Sequence, residues 1–307
     1  MNWINAFEVI CYLITSLLIA DMIKKRNRQE LCLFLSSALA GFMLEMLAVR
    51  LTGIYHYSNA YYISIGTVPN HFPFFGGLMW GGLTVCALRI CKKFRFSVWM
   101  TALLSGWLVV SMDILLDVAA IRLNGGFWVW EGRPITLTID HHMMMSVIWV
   151  NFLGYMFETP ALVGFTLLYH KKGKRPWGLD VLAAVAISLA GVAFVGIAST
   201  VSLWLDGMTD EWFSCLAFIC LWCAVLLKLC VEGIKQRKQS TFKGQKDRML
   251  IVFWAAVYGY CLAALSKLGI FAAVPVYGAF AVFLTVLTMT LCLIGIKNDP
   301  LPIDKAS

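Results

Sequence analysis

Residues 111–160 read SMDILLDVAAIRLNGGFWVWEGRPITLTIDHHMMMSVIWVNFLGYMFETP, and the rest of the chain is organised around this stretch. It contains two apolar segments, each long enough for a membrane-spanning helix, joined by a polar connection. Acidic side chains inside such helices are costly unless they serve a site, so the stretch predicts a buried polar site between membrane helices. The residues that carry this prediction are Asp113, Asp117, Trp128, Trp130, Asn151 and Glu158.

The composition of the 307-residue chain is that of a polytopic membrane protein. Hydrophobic residues make up 60% and charged residues 14%, and the mean hydropathy is +0.78, values outside the range of soluble globular proteins. Although the net charge is +8, the basic residues fall in short runs between apolar segments, so we expect no nucleic-acid partner. Cys220 and Cys223 form a C-x-x-C spacing inside an apolar helix, which favours packing over redox or metal chemistry.

Apolar runs of about 20 residues predict nine membrane-spanning helices, because that length crosses about 30 Å of hydrocarbon. The sequence shows neither an internal repeat nor a low-complexity linker, so we expect one all-α membrane domain over residues 1–307. Within it, residues 1–170 carry the polar site and residues 171–307 form more apolar supporting helices. The predicted spans are 4–23, 31–50, 72–91, 97–121, 142–169, 179–205, 212–231, 249–269 and 274–296.

Basic connections predict the orientation of this helix bundle. The four runs rich in Lys and Arg occur in alternate connections, so all four face the same side of the membrane. The positive-inside rule makes that side cytoplasmic, which predicts an outer N-terminus, an inner C-terminus and a multi-pass protein of the plasma membrane. The runs lie within residues 24–28, 91–95, 171–175 and 234–248.

Four carboxyl groups in the predicted spans are candidates for function, because an ionised carboxylate at bilayer depth costs at least ~2.5 kcal/mol. Asp113 and Asp117 are four residues apart and therefore share one face of a helix. Two acids so close in an apolar site do not both ionise easily, so we expect one to keep its proton and to act as an acid. The other two candidates are Glu45 and Glu158.

The same carboxyl groups also have a purely structural interpretation. The aspartates would then pin their helix through hydrogen bonds, or pair with Arg50 or Arg122 near the same end of the bundle. For Glu158, which precedes Thr159 and Pro160, the alternative is a hydrogen bond to backbone that the proline leaves unpaired.

Aromatic and amide side chains near these acids are the candidate substrate-binding and water-positioning groups. Indole faces stabilise cations, which makes Trp128 and Trp130 candidates for a site that handles positive charge. Asn151 lies in the middle of a predicted span, where it could orient a water molecule or an acid. Further substrate-binding candidates are Tyr55, Tyr57, Trp80 and Tyr155, although aromatic residues near a membrane interface also serve as belt residues.

The histidines do not predict a metal site. His141 and His142 are adjacent at the start of a predicted helix, where neighbouring side chains diverge and do not readily bind one metal ion. No H-x-x-x-H or comparable ligand spacing occurs in the chain. We therefore expect the site to use neither a metal ion nor another cofactor.

Between Gly41 and Pro160, short motifs follow one another in a recognisable order. They are Glu45, Thr52-Gly53, Tyr55 with Tyr57, Val68-Pro69, Trp80, Asp113-x-x-x-Asp117, Trp128-x-Trp130 and Asn151-Phe152-Leu153-Gly154-Tyr155. This series resembles the integral-membrane carotenoid biosynthesis family that includes carotenoid hydratases such as bisanhydrobacterioruberin hydratase. The resemblance implies water addition across a terminal isoprenoid double bond without a redox cofactor. The sequence departs from the family pattern at Val118, where a proline is expected, and at Tyr155, where a tryptophan is usual.

The leading hypothesis is a membrane enzyme that acts on a long apolar isoprenoid or carotenoid in the lipid bilayer. Asp113 or Asp117 would protonate a terminal alkene, and the tertiary carbocation would then add water or cyclise. The tryptophan pair would shield the positive charge. Asn151 or Glu45 would position the water.

Two further hypotheses stay open at this point. The first is a prenyltransferase or terpene cyclase, because D-x-x-x-D can also hold Mg²⁺ against a prenyl diphosphate. About 24 Å of helix separates Ser97 from Asp113, which places the acids in the outer half of the membrane, away from cytoplasmic prenyl diphosphates. The other is a proton-coupled transporter or lipid-binding protein whose buried acids relay protons. The oligomeric state does not follow from the sequence.

Overall fold

The computed structural model is a bundle of helices with a few short strands in the connections. Among the described residues, nine helices are long and apolar enough to cross a membrane, which confirms the predicted all-α polytopic fold. The described residues are 2–94, 96–132, 134–171, 173, 175–236, 240–241 and 246–296. The helices are α1 (Trp3–Lys24), α2 (Arg28–Leu51), α3 (Phe74–Cys91), α4 (Val98–Ala120), α5 (Trp149–His170), α6 (Trp177–Thr209), α7 (Trp212–Gln236), α8 (Arg248–Lys267), the short α9 (Ile270–Ala273) and α10 (Pro275–Leu293).

Polar residues at the helix starts set where the helices begin. The side chain of Asn2 accepts the backbone N–H of Asn5 at the start of α1, and Ser97 accepts that of Met100 at the start of α4. These side chains satisfy backbone donors that have no partner within the helix. Pro275 occupies the first turn of α10, where a backbone N–H is not needed.

Antiparallel strand pairs occur in the connections, and the sequence does not predict them. The pairs are β1 (Tyr55–Tyr57) with β4 (Trp128–Trp130), β2 (Ser64–Thr67) with β3 (Asn70–Pro73), β5 (Met143–Met144) with β6 (Val147–Ile148), and β7 (Ser240–Thr241) with β8 (Gly295–Ile296). The β1–β4 pair joins the connection after α2 to the connection after α4, so it holds together two loops that are far apart in sequence.

The fifth spanning helix begins at Trp149, not at residue 142 as the sequence predicts. The side chain of Asp140 accepts the backbone N–H groups of His142 and Met143 at 2.9 and 3.0 Å. Such a local turn competes with helix formation for the backbone donors. The β5–β6 hairpin follows it. His141 and His142 therefore lie in a connection, and the prediction that they stand at the start of a helix is wrong.

Ion pairs of one buried arginine hold the helix ends together at one end of the bundle. Arg89 in α3 is 6% exposed and binds Asp21 of α1 and Glu30 of α2, with N–O distances of 2.8 and 2.6 Å. It also binds Asp247, which caps α8, at 3.2 Å. The basic runs meet at this end, so the opposite end, which holds β1 to β6, is the predicted outer end; the orientation itself stays a prediction. Some residues of the basic runs lie outside the described residues, namely Arg95, Lys172, Lys174, 237–239 and 242–245.

Glycines allow α3 to approach α2 closely. The ring of Phe42 occupies the space where a side chain at Gly77 would begin. At Gly81 the backbone oxygen of Phe34 lies 2.8 Å from the position that a Cβ atom would take. The spacing of these glycines is the G-x-x-x-G pattern that brings membrane helices into direct backbone contact.

Replacing Gly81 with alanine is expected to destabilise the bundle by about 1–3 kcal/mol, because the added methyl group meets backbone that cannot turn away. The matched control is Gly196→Ala in α6, where the same methyl group meets no atom within 4 Å. Thermal unfolding of the detergent-solubilised protein should give a lower Tm for Gly81→Ala, and an unchanged or higher Tm for the control because alanine favours a helix. Equal Tm values for the two variants would contradict the close packing of α2 and α3.

Candidate functional site

Asp113 and Asp117 lie in α4, the most buried of the spanning helices that the structure describes, and each is 2% exposed. Each has a polar partner on α5. Asn151 Nδ2 donates to Asp117 Oδ2 at 2.7 Å, and Tyr155 lines the cavity next to Asp113. Because each pair of residues is four apart on its own helix, both contacts form on one α4–α5 interface.

The two aspartates are also close neighbours, one turn apart on the same face of α4. Two carboxyl groups this close in an apolar bundle do not both ionise easily, so one of them is expected to keep its proton. Asp113 Oδ2 and Asp117 Oδ1 are shielded from solvent and have no donor among the described residues. The pair therefore combines a group that can hold a proton with a group that can accept one.

Glu45 reaches the same region from α2. Its Oε2 accepts hydrogen bonds from the hydroxyl groups of Tyr55 at 2.5 Å and Tyr57 at 2.7 Å. Burial raises the pKa of both tyrosines, and the negative charge of Glu45 adds to this effect. Both hydroxyl groups therefore stay protonated, and they hold the carboxyl group in place as donors.

A two-stranded lid, formed by β1 and β4, covers the acids at the outer end. Tyr55 pairs with Trp130 and Tyr57 with Trp128, so two tyrosines and two tryptophans lie side by side. The ring centroids are 5.1 Å apart in the first pair and 6.1 Å apart in the second. The hydrogen bonds from the tyrosines to Glu45 attach this lid to α2.

Trp80 and Tyr155 form a second aromatic wall, from α3 and α5. Their rings are stacked, with centroids 4.7 Å apart and an angle of 19° between the planes. The indole of Trp80 occupies the space where a side chain at Gly41 would begin, so this stack depends on a glycine in α2.

These side chains surround a cavity of about 100 Å³. Its wall is mostly aromatic, and its polar groups are carboxyl groups, tyrosine hydroxyl groups and one amide. A dry cavity of about 150 Å³ holds one benzene molecule, so this cavity has room for the end of an apolar chain and not for a whole polyene. Most of the residues that the sequence singles out line it, namely Glu45, Tyr55, Tyr57, Trp80, Asp113, Asp117, Trp128, Trp130, Asn151 and Tyr155.

Glu158 is the predicted site residue that the structure does not bring to the cavity. It lies on α5 and is 4% exposed, but it is absent from the described cavity wall. Its Oε1 atom has no hydrogen-bond partner among the described residues, so that atom does not satisfy the backbone near Pro160. Its carboxyl group is therefore buried apart from the acid pair.

The basic residues near the outer end do not neutralise the aspartates. In the described part of the chain, no ion pair joins Arg50 or Arg122 to either acid. Arg122 instead donates to backbone carbonyl groups, so the pairing considered from the sequence is wrong for this residue. The carbonyl groups belong to Val118, Thr136 and Met145.

The structure adds residues that the sequence does not single out as part of a site. Tyr61 and Phe127 line the cavity, and the Tyr61 hydroxyl donates to the backbone oxygen of Phe127 at 2.9 Å. Glu8 in α1 is fully buried and accepts the backbone N–H groups of Tyr62 and Ile63 at 2.7 and 3.0 Å. It thus anchors to α1 the connection that carries β1. A lone acid in an apolar helix was the signal for Glu8, whereas the aromatic residues gave none.

A family model with the description "Carotenoid biosynthesis protein" matches residues 6–221, more than two thirds of the chain. The chain belongs to this carotenoid biosynthesis family. The family membership expected from the order of the motifs is thereby confirmed, and the protein is a carotenoid-modifying, multi-pass membrane protein. No curated protein and no solved structure matches the chain.

The matched part of this carotenoid biosynthesis protein contains all the described residues of the cavity wall. Helices α8 and α10 lie beyond the match and support the wall from outside. The Tyr260 hydroxyl in α8 donates to the backbone oxygen of Trp3 at 2.8 Å. The Tyr277 hydroxyl in α10 donates to that of Ile114 at 2.9 Å. These bonds fix α1 and α4 against the last helices.

Removing both tyrosine hydroxyl groups of the lid is expected to cost more stability than the two single changes together. Tyr55→Phe or Tyr57→Phe leaves Glu45 one donor, whereas the double change leaves a buried acceptor unpaired, which adds about 1–3 kcal/mol. Thermal unfolding of the parent, the two single variants and the double variant measures this coupling. Tyr62→Phe, at an exposed position, is the control. Strictly additive losses would contradict a shared acceptor.

Proposed function

We propose that the protein transfers a proton to a terminal double bond of an apolar isoprenoid or carotenoid and then adds water or closes a ring. The observation that carries this proposal is the pair of buried carboxyl groups of Asp113 and Asp117 in the wall of a largely aromatic cavity. A buried carboxylic acid that keeps its proton is suited to protonate an alkene, which is a very weak base. Membership of the carotenoid biosynthesis family supports the substrate class.

The proposed reaction balances without a redox partner. The proton of the acid pair goes to the less substituted carbon of the double bond, whose π electrons form the new C–H bond and leave a tertiary carbocation. Water adds its oxygen to this cation and returns one proton to the acid pair, so alkene and water give a tertiary alcohol. In the ring-closing version, a second double bond of the same chain attacks the cation, and loss of a proton to the pair restores the acid.

Glu45 and Asn151 are the groups proposed to position water. Both tyrosines of the lid bind Oε2 of Glu45, so Oε1 is the carboxyl oxygen available to a water molecule. Asn151 donates a hydrogen bond to Asp117 and so holds this acid in place. In the proposed reaction, the water lies next to Asp117. General acid–base catalysis requires the acid and the water to lie a short distance apart.

The aromatic walls suit the charge that the reaction develops. Indole and phenol rings present a negative face to a cation, and this attraction grows where water is excluded. Trp128 and Trp130 line the cavity from the lid, and Trp80 lines it from α3. Since the cavity accepts only a chain end, the positive charge forms next to these rings.

A prenyl diphosphate suits this cavity less well. Proteins bind diphosphates with Arg and Lys side chains, or through Mg²⁺ held by carboxylates. None of the described residues of the cavity wall is Lys or Arg. Asp117 is also engaged by the side-chain amide of Asn151 in α5. The Mg²⁺-dependent prenyltransferase or cyclase therefore ranks second.

Asp113→Asn and Asp117→Asn are each expected to lower turnover about 10²- to 10⁴-fold, because each removes the shared proton and preserves side-chain size. Turnover is measured by expressing the chain in cells that accumulate acyclic carotenoids and by quantifying the products with chromatography and mass spectrometry. Glu158→Gln removes a buried carboxyl group that does not line the cavity, so this matched control should keep its activity. Full activity of either aspartate variant at equal protein level would overturn the assignment.

The mass of the product separates the competing reactions. Hydration adds the mass of one water, whereas ring closure leaves the mass unchanged. Prenyl transfer adds isoprenoid units and stops when EDTA removes Mg²⁺. A transporter or lipid-binding protein leaves every isoprenoid chemically unchanged.

Trp128→Leu and Trp130→Leu are each expected to lower turnover roughly two- to thirtyfold, because a cation–π contact contributes about 0.5–2 kcal/mol. Phenylalanine at the same positions should restore part of the loss, since it keeps an aromatic face. Trp204→Leu, at an exposed position of α6, is the control for a general loss of tryptophan. Wild-type turnover in both leucine variants would argue against a cation beneath the lid.

A further inference from the structure

A second polar cluster lies at the outer end of the bundle, outside the cavity. It brings together His141 and His142, in the connection before α5, and Asp210, between α6 and α7. One ligand atom from each residue lies within 4.8 Å of the others, and the two imidazole rings are 3.9 Å apart. Adjacent histidines diverge on a helix, but the turn at Asp140 makes this pair converge.

The spacing of the cluster matches a metal site better than a set of hydrogen bonds. His141 Nε2 is 3.5 Å from Asp210 Oδ2, and His142 Nδ1 is 3.3 Å from Glu211 Oε2. Hydrogen bonds from nitrogen to oxygen are usually about 2.7–3.2 Å long. Two ligands of one tetrahedral ion, with bonds of about 2.0–2.1 Å, lie roughly 3.3 Å apart. These two nitrogen–oxygen distances are therefore close to the separation of two ligands on one ion.

One nitrogen of the cluster makes no hydrogen bond. His141 Nε2 is shielded from solvent and has no hydrogen-bond partner among the described residues. The ring is held by parallel stacking on Trp212, with centroids 4.5 Å apart and 5° between the planes. A buried polar atom without a partner costs free energy, and a cation bound to it would remove that cost.

Asp140 and Asp206 are engaged in local hydrogen bonds, whereas the carboxylates of Asp210 and Glu211 face the histidines. Asp140 accepts the backbone N–H groups of Met143 and His142. Asp206 accepts both the backbone N–H and the hydroxyl group of Ser214, at 2.8 and 2.5 Å. Both carboxyl groups already accept hydrogen bonds, so the candidate metal site does not use them as ligands.

An ion can reach the cluster from solution. The side chain of Asp210 is 81% exposed. A cavity of about 330 Å³ lies beside His142, Asp210 and Glu211. A binding site needs such an entry path, and the space accommodates water molecules that complete the coordination.

We propose that His141, His142 and Asp210 bind a first-row divalent cation, with Zn²⁺ as the reference ion. Two imidazoles and one carboxylate suit Zn²⁺, and water or Glu211 completes a four-coordinate shell. The ion ties the connection before α5 to the α6–α7 turn, and so fixes the start of the helix that carries Asn151. This site is a structural clamp that does not depend on the proposed reaction.

The test is a Zn²⁺ titration by isothermal calorimetry on the full-length protein in detergent. The protein carries a purification tag without histidines and is first stripped with EDTA. One Zn²⁺ is expected to bind per chain. His141→Ala, His142→Ala and Asp210→Asn should each weaken binding at least tenfold, because each removes a ligand. Zn²⁺ should also raise the Tm of the parent protein and leave the Tm of the His141→Ala/His142→Ala variant unchanged.

Two control variants address other sites that could bind the ion. His56→Ala removes a histidine on the lid that pairs with Glu131, and Cys220→Ser/Cys223→Ser removes the C-x-x-C thiols. Both should bind Zn²⁺ as the parent does. Size-exclusion elution and Tm in EDTA show whether each variant is folded. Undiminished Zn²⁺ binding by the folded double-histidine variant, or no binding by the folded parent, would overturn the proposal.

Discussion

The contact between α4 and α5 is the constraint on which the site depends. An apolar bundle offers few polar groups, so the carboxyl groups of Asp113 and Asp117 depend on partners from a neighbouring helix. Asn151 donates to Asp117, and Tyr155, one turn further along α5, lines the cavity next to Asp113. The packing of the two helices therefore also fixes the geometry of the acid pair. A shift of either helix by one turn would leave a buried carboxyl group without its partner.

The helices position the acids, but the connections enclose them. The β1–β4 lid brings together segments that follow α2 and α4, and its tyrosines attach it to Glu45. Glu8 attaches the same connection to α1 through two backbone N–H groups. Carboxyl groups on two different helices thus hold the loop in place. Acidic residues in this bundle consequently have two roles, since some anchor loops and others face the cavity.

Sequence reasoning succeeded where the physical effect is local to a segment. The thickness of hydrocarbon predicts the spanning helices, and the cost of a buried charge singles out Asp113 and Asp117. The pairing of Tyr55 with Trp130 could not be predicted, because it joins distant connections whose approach depends on how the helices pack. The start of α5 was missed for a local reason, since Asp140 captures backbone donors that a helix would use. The cost of burying a charge also selected Glu158. This cost depends on burial alone, so it does not tell which cavity a side chain faces.

The lid stands between the acid pair and the water at the outer end of the bundle. Its inner face presents Tyr55, Tyr57, Trp128 and Trp130 to the cavity. In the proposed reaction, a tertiary carbocation formed beneath it has two fates, capture by water or attack by a second double bond of its own chain. The number of water molecules that the lid admits then sets the branching ratio between alcohol and ring. In that reaction, side chains of the lid, and not the acids, would decide which product this protein releases.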